Sequence, residues 1–399
     1  MKSRNKELYI LGLSIILFIG IYIWILLCGV YSIGYFIKGP DMNVEHSYRA
    51  SILELDDGNI LVLGENEPDS SIPSEIYDIK SNKFKYYDLI KDSLYYLPEG
   101  VLLDNNKLLL LYVNDPHTKY KKEDNANFYN SMAIVDLNSG KVEKYVSKKI
   151  NQKYKLNNYT KYAKLGNGNI IIVDFSNKVA EIYNPTTNSS KLINLKYEIA
   201  PYAEMVPIME NKLLIFGGYL ENNYIKNNDV VEYKDNEVEI ISVGNALPRQ
   251  CSIISKISDN KIIIAGGVSR IMQGFYTQEI ELYDISTNES DIIGKFTEHR
   301  QTREMYFPSY SGVKLSDRYY ITAGGNRAYG SFGSDSNSTD IIDLKNNVVK
   351  RGPKMIYRTS DFKMIKLING DVLCISTGFS PDIPYRQRTQ ILKTWRFKL

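Results

Sequence analysis

Arginine and tyrosine residues in the loops between apolar segments have the chemistry that ligand recognition needs. A guanidinium group forms paired hydrogen bonds with a carboxylate or a phosphate, and arginine and aromatic side chains are enriched at recognition sites. Tyrosine rings also stack on sugars and peptides. We predict eight ligand-binding residues on this basis: Arg249, Arg270, Arg303, Arg327, Arg358, Tyr306, Tyr385 and Arg386.

A smaller set has the chemistry of general acid–base catalysis. Glu204, Arg249, Arg303 and Glu304 carry groups that could supply a general acid or base. No spacing in the sequence singles these four residues out, and the motifs of serine hydrolases, zinc proteases and P-loop enzymes are missing. We therefore assign no catalytic residue from the sequence.

The histidines and cysteines do not form a metal-binding pattern. The three histidines are far apart in the sequence, and none lies next to a cysteine: His46, His117 and His299. The three cysteines, Cys28, Cys251 and Cys374, show no CxxC spacing, so we expect isolated thiols rather than a zinc site or a disulfide. We expect no metal and no cofactor.

The composition is that of a globular protein without a nucleic-acid partner. The chain has 399 residues, of which 43% are hydrophobic and 24% are charged, so it can bury a large core. The formal net charge is only +3, which gives no general attraction to a phosphate backbone. We therefore expect no nucleic acid among its partners.

The N-terminal segment has the composition of a membrane anchor. Residues Leu8–Ile37 contain no charged side chain, and this length exceeds the roughly 20 residues that cross a bilayer. Lys2, Arg4 and Lys6 precede the segment, which places residues 1–7 in the cytoplasm and the rest of the chain outside. The alternative is a cleaved signal peptide, but its apolar core should be shorter. We predict a single-pass protein of the cell membrane that contacts the lipid bilayer through Leu8–Ile37.

Two sequence patterns repeat along the remainder of the chain. The first is an apolar run, a polar turn and a second apolar run, often followed by a glycine pair. It occurs seven times, with its turn and second run at 56–65, 104–113, 166–175, 210–219, 259–268, 316–325 and 368–377. The second pattern is an apolar run that is followed in six of the seven units by a turn rich in Asp, Asn, Ser and Thr. It occurs at 75–84, 132–142, 180–192, 229–240, 279–292, 339–349 and 389–397. Each unit thus predicts up to four strands joined by tight hairpins, at a period of about 50 residues.

These units resemble the kelch repeat of β-propellers. The likeness rests on an apolar strand, a glycine pair such as Gly266-Gly267, and a later Tyr-Asp pair such as Tyr283-Asp284, and it covers residues 46–399. The usual tryptophan is missing, except for Trp395. The resemblance implies an all-β, seven-bladed kelch-like propeller of the galactose oxidase/kelch-like superfamily, with six blades as the alternative. It also implies that an arginine just before a first strand can serve blade packing instead of binding.

The last unit lacks its outer strand, and this predicts how the ring closes. The chain ends soon after the third strand of unit seven, and an exposed sheet edge is normally covered. We expect residues 38–45 to act as a linker, with Asp41–Glu45 as the candidate closing strand. We also expect the glycine pairs to permit close backbone approach and positive φ, not to bind phosphate.

Three functions remain open from the sequence. The first is a non-enzymatic, membrane-anchored propeller that binds a protein or a cell-envelope glycan through its loop face. The second, implied by the resemblance, is a sugar-modifying enzyme similar to sialic-acid mutarotases. The third is a scaffold for a membrane complex. Copper oxidases also occur among kelch-like propellers, but the isolated histidines make a copper centre a poor match.

Overall fold

The structure is a computed structural model, and it describes most of the chain. The described residues are 12–20, 33–46, 50–67, 70–89, 96–113, 131–150, 160–174, 178–195, 203–218, 228–234, 237–243, 246–247, 249, 252–270, 275–298, 310–325, 336–359, 362–376 and 388–394. A short helix, α1, covers residues 12–20. All other regular elements described are β-strands.

The strands are short and follow one another closely. The first eleven are β1 (Gly34–Lys38), β2 (Ile52–Glu54), β3 (Ile60–Val62), β4 (Asn66–Glu67), β5 (Ser70–Ser71), β6 (Ser74–Asp78), β7 (Lys83–Tyr87), β8 (Gly100–Leu103), β9 (Lys107–Val113), β10 (Ser131–Asp136) and β11 (Lys141–Ser147). The next ten are β12 (Thr160–Lys164), β13 (Ile170–Asp174), β14 (Val179–Asn184), β15 (Ser189–Asn194), β16 (Glu204–Met209), β17 (Lys212–Phe216), β18 (Asn228–Lys234), β19 (Glu237–Val243), β20 (Ile253–Lys256) and β21 (Lys261–Ala265). The last eleven are β22 (Val268–Arg270), β23 (Phe275–Tyr276), β24 (Glu279–Asp284), β25 (Glu289–Lys295), β26 (Tyr310–Lys314), β27 (Tyr319–Gly324), β28 (Thr339–Asp343), β29 (Val348–Arg351), β30 (Phe362–Lys366), β31 (Val372–Ser376) and β32 (Thr389–Thr394).

Six four-stranded antiparallel sheets are built in sequence order. We number them sheet 1 (β2, β3, β6, β7), sheet 2 (β8 to β11), sheet 3 (β12 to β15), sheet 4 (β16 to β19), sheet 5 (β20, β21, β24, β25) and sheet 6 (β26 to β29). A further four-stranded sheet, the closing sheet, has the order β30, β31, β32, β1. The small hairpins β4–β5 and β22–β23 extend the connections inside sheets 1 and 5. The predicted all-β propeller is confirmed, with six blades that are each continuous in sequence and a sheet that joins distant parts of the chain.

The first strand of each sheet lies towards the axis. β12, β16, β20, β26 and β30 lie next to one another in that order. In sheets 3 and 5 the second and third strands are almost fully buried, whereas the fourth strands are mostly exposed. This is the arrangement of propeller blades around a central channel.

The core consists of apolar layers between neighbouring sheets. One such layer joins sheet 6 to the closing sheet through Ile321, Met364 and Phe36, among others. Another joins the closing sheet to sheet 1 through Ile375 and Val62. The remaining layers join sheets 1 to 2, 2 to 3, 3 to 4, 4 to 5 and 5 to 6. The closing sheet therefore packs on both sides, as the six sequence-continuous blades do.

The second sequence pattern, which contains the Tyr-Asp pair, forms a recurrent hairpin turn between the third and fourth strands. In sheet 5, Asp284 accepts a hydrogen bond from the backbone N–H of Ser286, and Asn288 adopts a φ of 60°. The hydroxyl of the fully buried Tyr283 donates to the side-chain oxygen of Asn288 at 3.1 Å. Asparagine tolerates this left-handed conformation better than most residues. Equivalent Tyr–Asn bonds, Tyr77–Asn82 and Tyr183–Asn188, stabilise the turns of sheets 1 and 3.

The glycine pairs are required by the backbone conformation. Gly266 and Gly267 have φ values of 65° and 106°, and Gly324 and Gly325 have values of 76° and 97°. A side chain is strained in this region of φ, and a Cβ on Gly324 would also clash with the ring of Phe362. The predicted structural role of the pairs is therefore confirmed.

The closing strand lies earlier in the chain than we predicted. β1 pairs antiparallel with β32, from Gly34 opposite Thr394 to Lys38 opposite Gln390, whereas residues 41–45 form no strand. The physical reason is side-chain alternation: Phe36 is buried against sheet 6 while Tyr35 is half exposed. The propeller therefore takes residues from both the predicted anchor and the predicted linker.

The prediction of a single-pass membrane protein is wrong for the same stretch of sequence. Within the described residues, no helix has the length and apolar character needed to cross a bilayer. The helix over residues 12–20 is shorter than the roughly 20 residues required, and residues 34–37 of the predicted anchor are strand. The remaining parts of Leu8–Ile37, residues 8–11 and 21–32, lie outside the described residues. Contact of Leu8–Ile37 with the lipid bilayer stays a prediction.

Candidate functional site

One position near the start of each first strand forms a ring at one end of the channel. These positions are equivalent because each lies four residues before the buried or partly buried apolar residue that enters the first hairpin turn. They are Ser51, Glu99, Lys161, Glu204, Ile253, Ser311 and Lys363. We call this set the mouth ring. Its ionisable members come from sheets 2, 3, 4 and the closing sheet only.

Side chains of the mouth ring reach towards the next sheet in the ring. The Ser51 hydroxyl accepts from the backbone N–H of Gly100, and the Ser311 hydroxyl accepts from that of Met364. The Lys363 ammonium donates to the backbone carbonyl of Ala50 at 2.7 Å. The site is thus assembled from contacts between sheets, and no single repeat unit contains it.

Lys161 and Glu204 form an ion pair at the mouth. The Lys161 nitrogen lies 3.1 and 3.3 Å from the two carboxylate oxygens of Glu204. Their side chains are 30% and 28% exposed, so the pair is reachable from solvent yet partly desolvated. Charges in such an environment interact more strongly than they would in water. The pair presents an acid and a base side by side.

Two lysines near Glu99 have weakened affinity for their proton. Burial lowers the pKa of Lys363 to about 8, Glu99 acts in the opposite direction, and Lys161 lowers the pKa further. Burial also lowers the pKa of Lys148 to about 8, against the opposing effect of Glu181, Glu99 and Asp174. Lys148 is 8% exposed and lies 4.0 Å above the Tyr112 ring. An amine with such a pKa can exchange protons near neutral pH.

Tyr162 packs in the core between sheets 2 and 3, and its hydroxyl lies near Glu99 and Ser51. It follows Lys161 on β12. Burial and the nearby Glu99 raise the pKa of its hydroxyl, while a hydrogen bond with Ser51 opposes the shift. Tyr162 therefore remains a neutral hydroxyl that helps to fix Ser51.

Buried polar side chains on the third strands hold the connections that lead to the mouth. Glu181 accepts the backbone N–H groups of Lys149 and Ile150 at 2.9 and 3.0 Å. Equivalent residues do the same elsewhere: Glu75 accepts from Asn43, Glu281 from Leu247, Asp340 from Thr297, and Gln390 from Ile356. A buried backbone N–H needs such a partner. These side chains fix the backbone before the first strands of sheets 1, 3, 5 and 6 and of the closing sheet.

Arg249 occupies a packing position. Its guanidinium is 3% exposed, donates to the carbonyls of Gly266 and Glu279 at 3.0 and 2.8 Å, and forms an ion pair with Glu281. These contacts correspond to the packing role that the resemblance implied as the alternative for this arginine. Ligand binding by Arg249 stays a prediction that the geometry does not favour.

The other predicted ligand-binding residues are not brought together within the described structure. Arg358 is exposed on the connection before β30. Arg270 lies on β22, and its side chain lies outside the described residues. The remaining five lie outside the described residues altogether: Arg303, Arg327, Tyr306, Tyr385 and Arg386. Glu304 is also outside them, so Glu204 is the member of the predicted acid–base set that the structure places at the mouth.

The sequence analysis missed Glu99, Lys148, Lys161 and Lys363. A signal for three of them was present, because aligning the repeats on the apolar residue before each first turn puts Glu99, Lys161 and Lys363 in the same column as Glu204. That alignment becomes compelling only when the strand register is known. For Lys148, which directly follows β11 and lies outside this aligned position, the sequence offers no comparable signal.

Comparisons with known proteins identify the fold and no closer relationship. No protein-family model matches the chain, and no curated protein matches it. A solved structure described as a novel fungal alcohol oxidase with catalytic diversity among the AA5 family, in complex with copper, is similar to it. The identity is 11%, the TM-score is 0.62, and the match covers 91% of this chain and 77% of that one. Such a likeness shows a shared fold, that of the galactose oxidase-type AA5 propeller.

The described residues do not fit a copper centre. They contain no group of three or more histidine, cysteine or acidic side chains placed to hold a metal. His46 is buried beside Glu75 between strands, and Cys374 is buried in an apolar layer. Copper(II) prefers imidazole and other uncharged nitrogen ligands, whereas the mouth carries lysines and carboxylates. We derive no step through copper.

The first functional expectation therefore needs correction. A non-enzymatic, membrane-anchored binding protein is not supported: the described residues contain no helix that could cross a membrane, and a solved structure that shares the fold is described as an alcohol oxidase.

Proposed function

We propose that the protein is an enzyme that opens and recloses cyclic sugars, acidic ones in particular, by acid–base catalysis at the mouth ring. The observation that carries the proposal is the partly exposed Lys161–Glu204 pair in the same ring as Lys363. Carboxylate and amine groups with tuned proton affinity in a partly desolvated site are the usual components of general acid–base catalysis.

The chemistry requires two proton transfers. Opening a cyclic sugar removes a proton from the anomeric hydroxyl and delivers a proton to the ring oxygen. Glu204 is suited to accept the first proton, because its carboxylate is partly exposed and is oriented by the hydrogen bonds from Lys161. An ammonium group of the mouth, Lys161 or Lys363, is suited to deliver the second. Reclosing from the other face of the carbonyl exchanges the two anomers.

An anomer-exchange measurement tests this proposal. Magnetisation transfer between the α and β anomers of glucuronate, galacturonate and N-acetylneuraminate is measured by NMR with the full-length chain. We expect exchange above the buffer rate for at least one sugar, and a loss of about 10²-fold in Glu204→Gln, in line with the usual contribution of one acid or base.

The matched control is Glu210→Gln in the same sheet. Glu210 is exposed in the first hairpin turn, at the other end of the channel. Its replacement should leave the exchange rate unchanged. Equal rates in the two variants, or no acceleration with any of the three sugars, would overturn the proposal.

We also propose that the closing sheet is a seventh blade and that the repeat is of the kelch type. Support for the blade comes from the apolar layers on both of its faces. Support for the repeat type comes from the glycine pairs and the Tyr–Asn turns. Removing residues 1–38 should expose the edge of β32 and lower the free energy of unfolding by several kcal/mol, as urea unfolding would measure. A chain without these residues that unfolds as the full chain does would contradict the proposed blade.

Three predictions about partners stay predictions: contact of Leu8–Ile37 with the lipid bilayer, an unidentified protein or glycan partner, and no binding of nucleic acid.

A further inference from the structure

Three amines lie at the mouth, and their surroundings differ. Lys161 is held by both oxygens of Glu204. Lys148 is almost fully buried and faces the Tyr112 ring. Lys363 is only partly buried, and its nitrogen contacts the neutral carbonyl oxygen of Ala50 at 2.7 Å. Of the three, Lys363 is the amine best placed to meet a substrate.

The contact with Ala50 is compatible with an uncharged amine. A neutral amine can donate one hydrogen to a carbonyl and keep its lone pair for attack. Partial burial and the neighbouring Lys161 both favour the neutral form, and these are the two conditions under which lysines act as nucleophiles towards carbonyl compounds. The Ala50 hydrogen bond would also orient the amine, because it fixes one of its N–H directions.

We propose that Lys363 forms an imine with the open-chain carbonyl group of a sugar or keto acid bound at the mouth ring. This deepens the proposed function and rests on it for cyclic sugars, since their carbonyl appears only after the ring opens. Neither the fold comparison nor the acid–base roles given above assign a covalent role to this lysine.

The step balances without a further reactant. The neutral Lys363 nitrogen attacks the carbonyl carbon, and a nitrogen–carbon bond forms. A proton passes from nitrogen to oxygen, giving a carbinolamine. A second proton, delivered by a protonated group of the mouth such as Lys161, lets the oxygen leave as water, and the resulting iminium ion is hydrolysed by the reverse path. The Glu99 charge raises the pKa of Lys363, and the same charge would stabilise the iminium cation.

Reductive trapping tests the proposal. The full-length chain is incubated with pyruvate or with glucuronate in the presence of sodium cyanoborohydride, and the modified lysines are located by peptide mass spectrometry. At pH 7.5 an amine of pKa about 8 has about 10²-fold more neutral form than an ordinary lysine. We expect Lys363 to be modified at least about tenfold faster than the other lysines, with a half-maximal rate near pH 8.

Lys366 provides the matched control on the same strand. It lies three residues further along β30, and its ammonium also donates to a backbone carbonyl, that of Leu315, at 2.7 Å. Lys363→Arg should abolish the rapid labelling, and Lys366→Arg should retain it. Modification spread over exposed lysines, or rapid labelling that survives in Lys363→Arg, would overturn the proposal.

The two substrates separate this proposal from the proposed function. Pyruvate carries a free carbonyl and needs no ring opening, so it should label Lys363 even if the enzyme opens no sugar. Labelling by pyruvate without anomer exchange would support imine formation by Lys363 and would contradict the proposed sugar-opening activity. Anomer exchange without labelling by either compound would support the sugar-opening activity and would contradict imine formation by Lys363.

Discussion

The two ends of the channel use lysine in different ways. At the end with the first hairpin turns, Lys164, Lys256, Lys314 and Lys366 each donate to a backbone carbonyl of the preceding sheet. At the other end, the lysines of the mouth ring reach towards the following sheet, as Lys363 does to Ala50. The two sets lie three residues apart on each strand, so their side chains leave opposite faces.

The partners of the two sets differ as well. Three of the four turn-end lysines have an exposed aspartate within 3.2 Å. Lys256 and Lys314 pair with the aspartate three residues later in the same sheet, and Lys164 pairs with Asp104 of the preceding sheet. The mouth ring has no such repetition, because glutamate, lysine, serine and isoleucine share one position in different sheets. A contact that recurs between neighbouring sheets, such as the bond from a turn-end lysine to a backbone carbonyl, serves to join similar units. A position that varies around the ring is free to form one specific site, and this difference leads us to place chemistry at the mouth.

The largest effect should come from breaking an anchor beneath the mouth. Glu181→Ala leaves the buried N–H groups of Lys149 and Ile150 without their acceptor, so the free energy of unfolding should fall by about 2–4 kcal/mol. Urea unfolding measures the change. The exposed Glu143, paired with Lys107 at 2.7 Å, is the control, and its replacement by Ala should change stability by less than about 1 kcal/mol. Equal losses would show that the mouth connections need no buried anchor.

Removing the Glu99 charge should affect chemistry more than stability. Its carboxylate favours the protonated form of Lys363, so Glu99→Gln should lower the pKa of Lys363 further. The pH profile of reductive labelling should shift to lower pH, and anomer exchange should fall by about 10²-fold. Asp104→Asn, at the exposed partner of Lys164, should change neither quantity. An unchanged pH profile in Glu99→Gln would mean that Glu99 does not act on Lys363.

The buried charge of Lys363 should make stability depend on pH. The pKa of about 8 in the folded chain lies below the ordinary lysine value, so between pH 8 and about 10 the unfolded chain binds more protons. Stability of the natural chain relative to Lys363→Met should therefore rise from pH 7 to pH 9.5, by about 1–2 kcal/mol after allowing for partial exposure. Urea unfolding of both proteins at the two pH values measures this. If the stability of the natural chain relative to Lys366→Met rose by the same amount, the lysines at the two ends of the channel would not differ in this respect.

The smallest effect should come from a single turn-end lysine. Lys314→Met removes one hydrogen bond of 2.6 Å to the carbonyl of Ile257, which should lower stability by about 1 kcal/mol. Anomer exchange should be unaffected, because Lys314 lies away from the mouth. A large loss of activity in this variant would contradict the separation of roles that the comparison suggests.

Local features of the fold were predictable because they depend on short stretches of sequence. The turn at Asp284–Asn288 and the positive φ of Gly266 and Gly267 follow from residues that lie within a few positions of each other. The closing strand was misplaced for the opposite reason. GYFI at 34–37 is uncharged, as a membrane segment is, and its assignment to a strand depends on β32, more than 350 residues away in the sequence.

By itself the sequence determined the repeat, the tight turns, the glycine pairs and an all-β propeller, because each repeat carries these signals within its own residues. The tertiary structure alone decided which strand closes the ring, that Arg249 packs against Glu281, and that Glu99, Lys161, Glu204 and Lys363 meet at one end of the channel. Those outcomes depend on contacts between sheets. The residues that make them are far apart in the chain, and only the register of the strands brings them together.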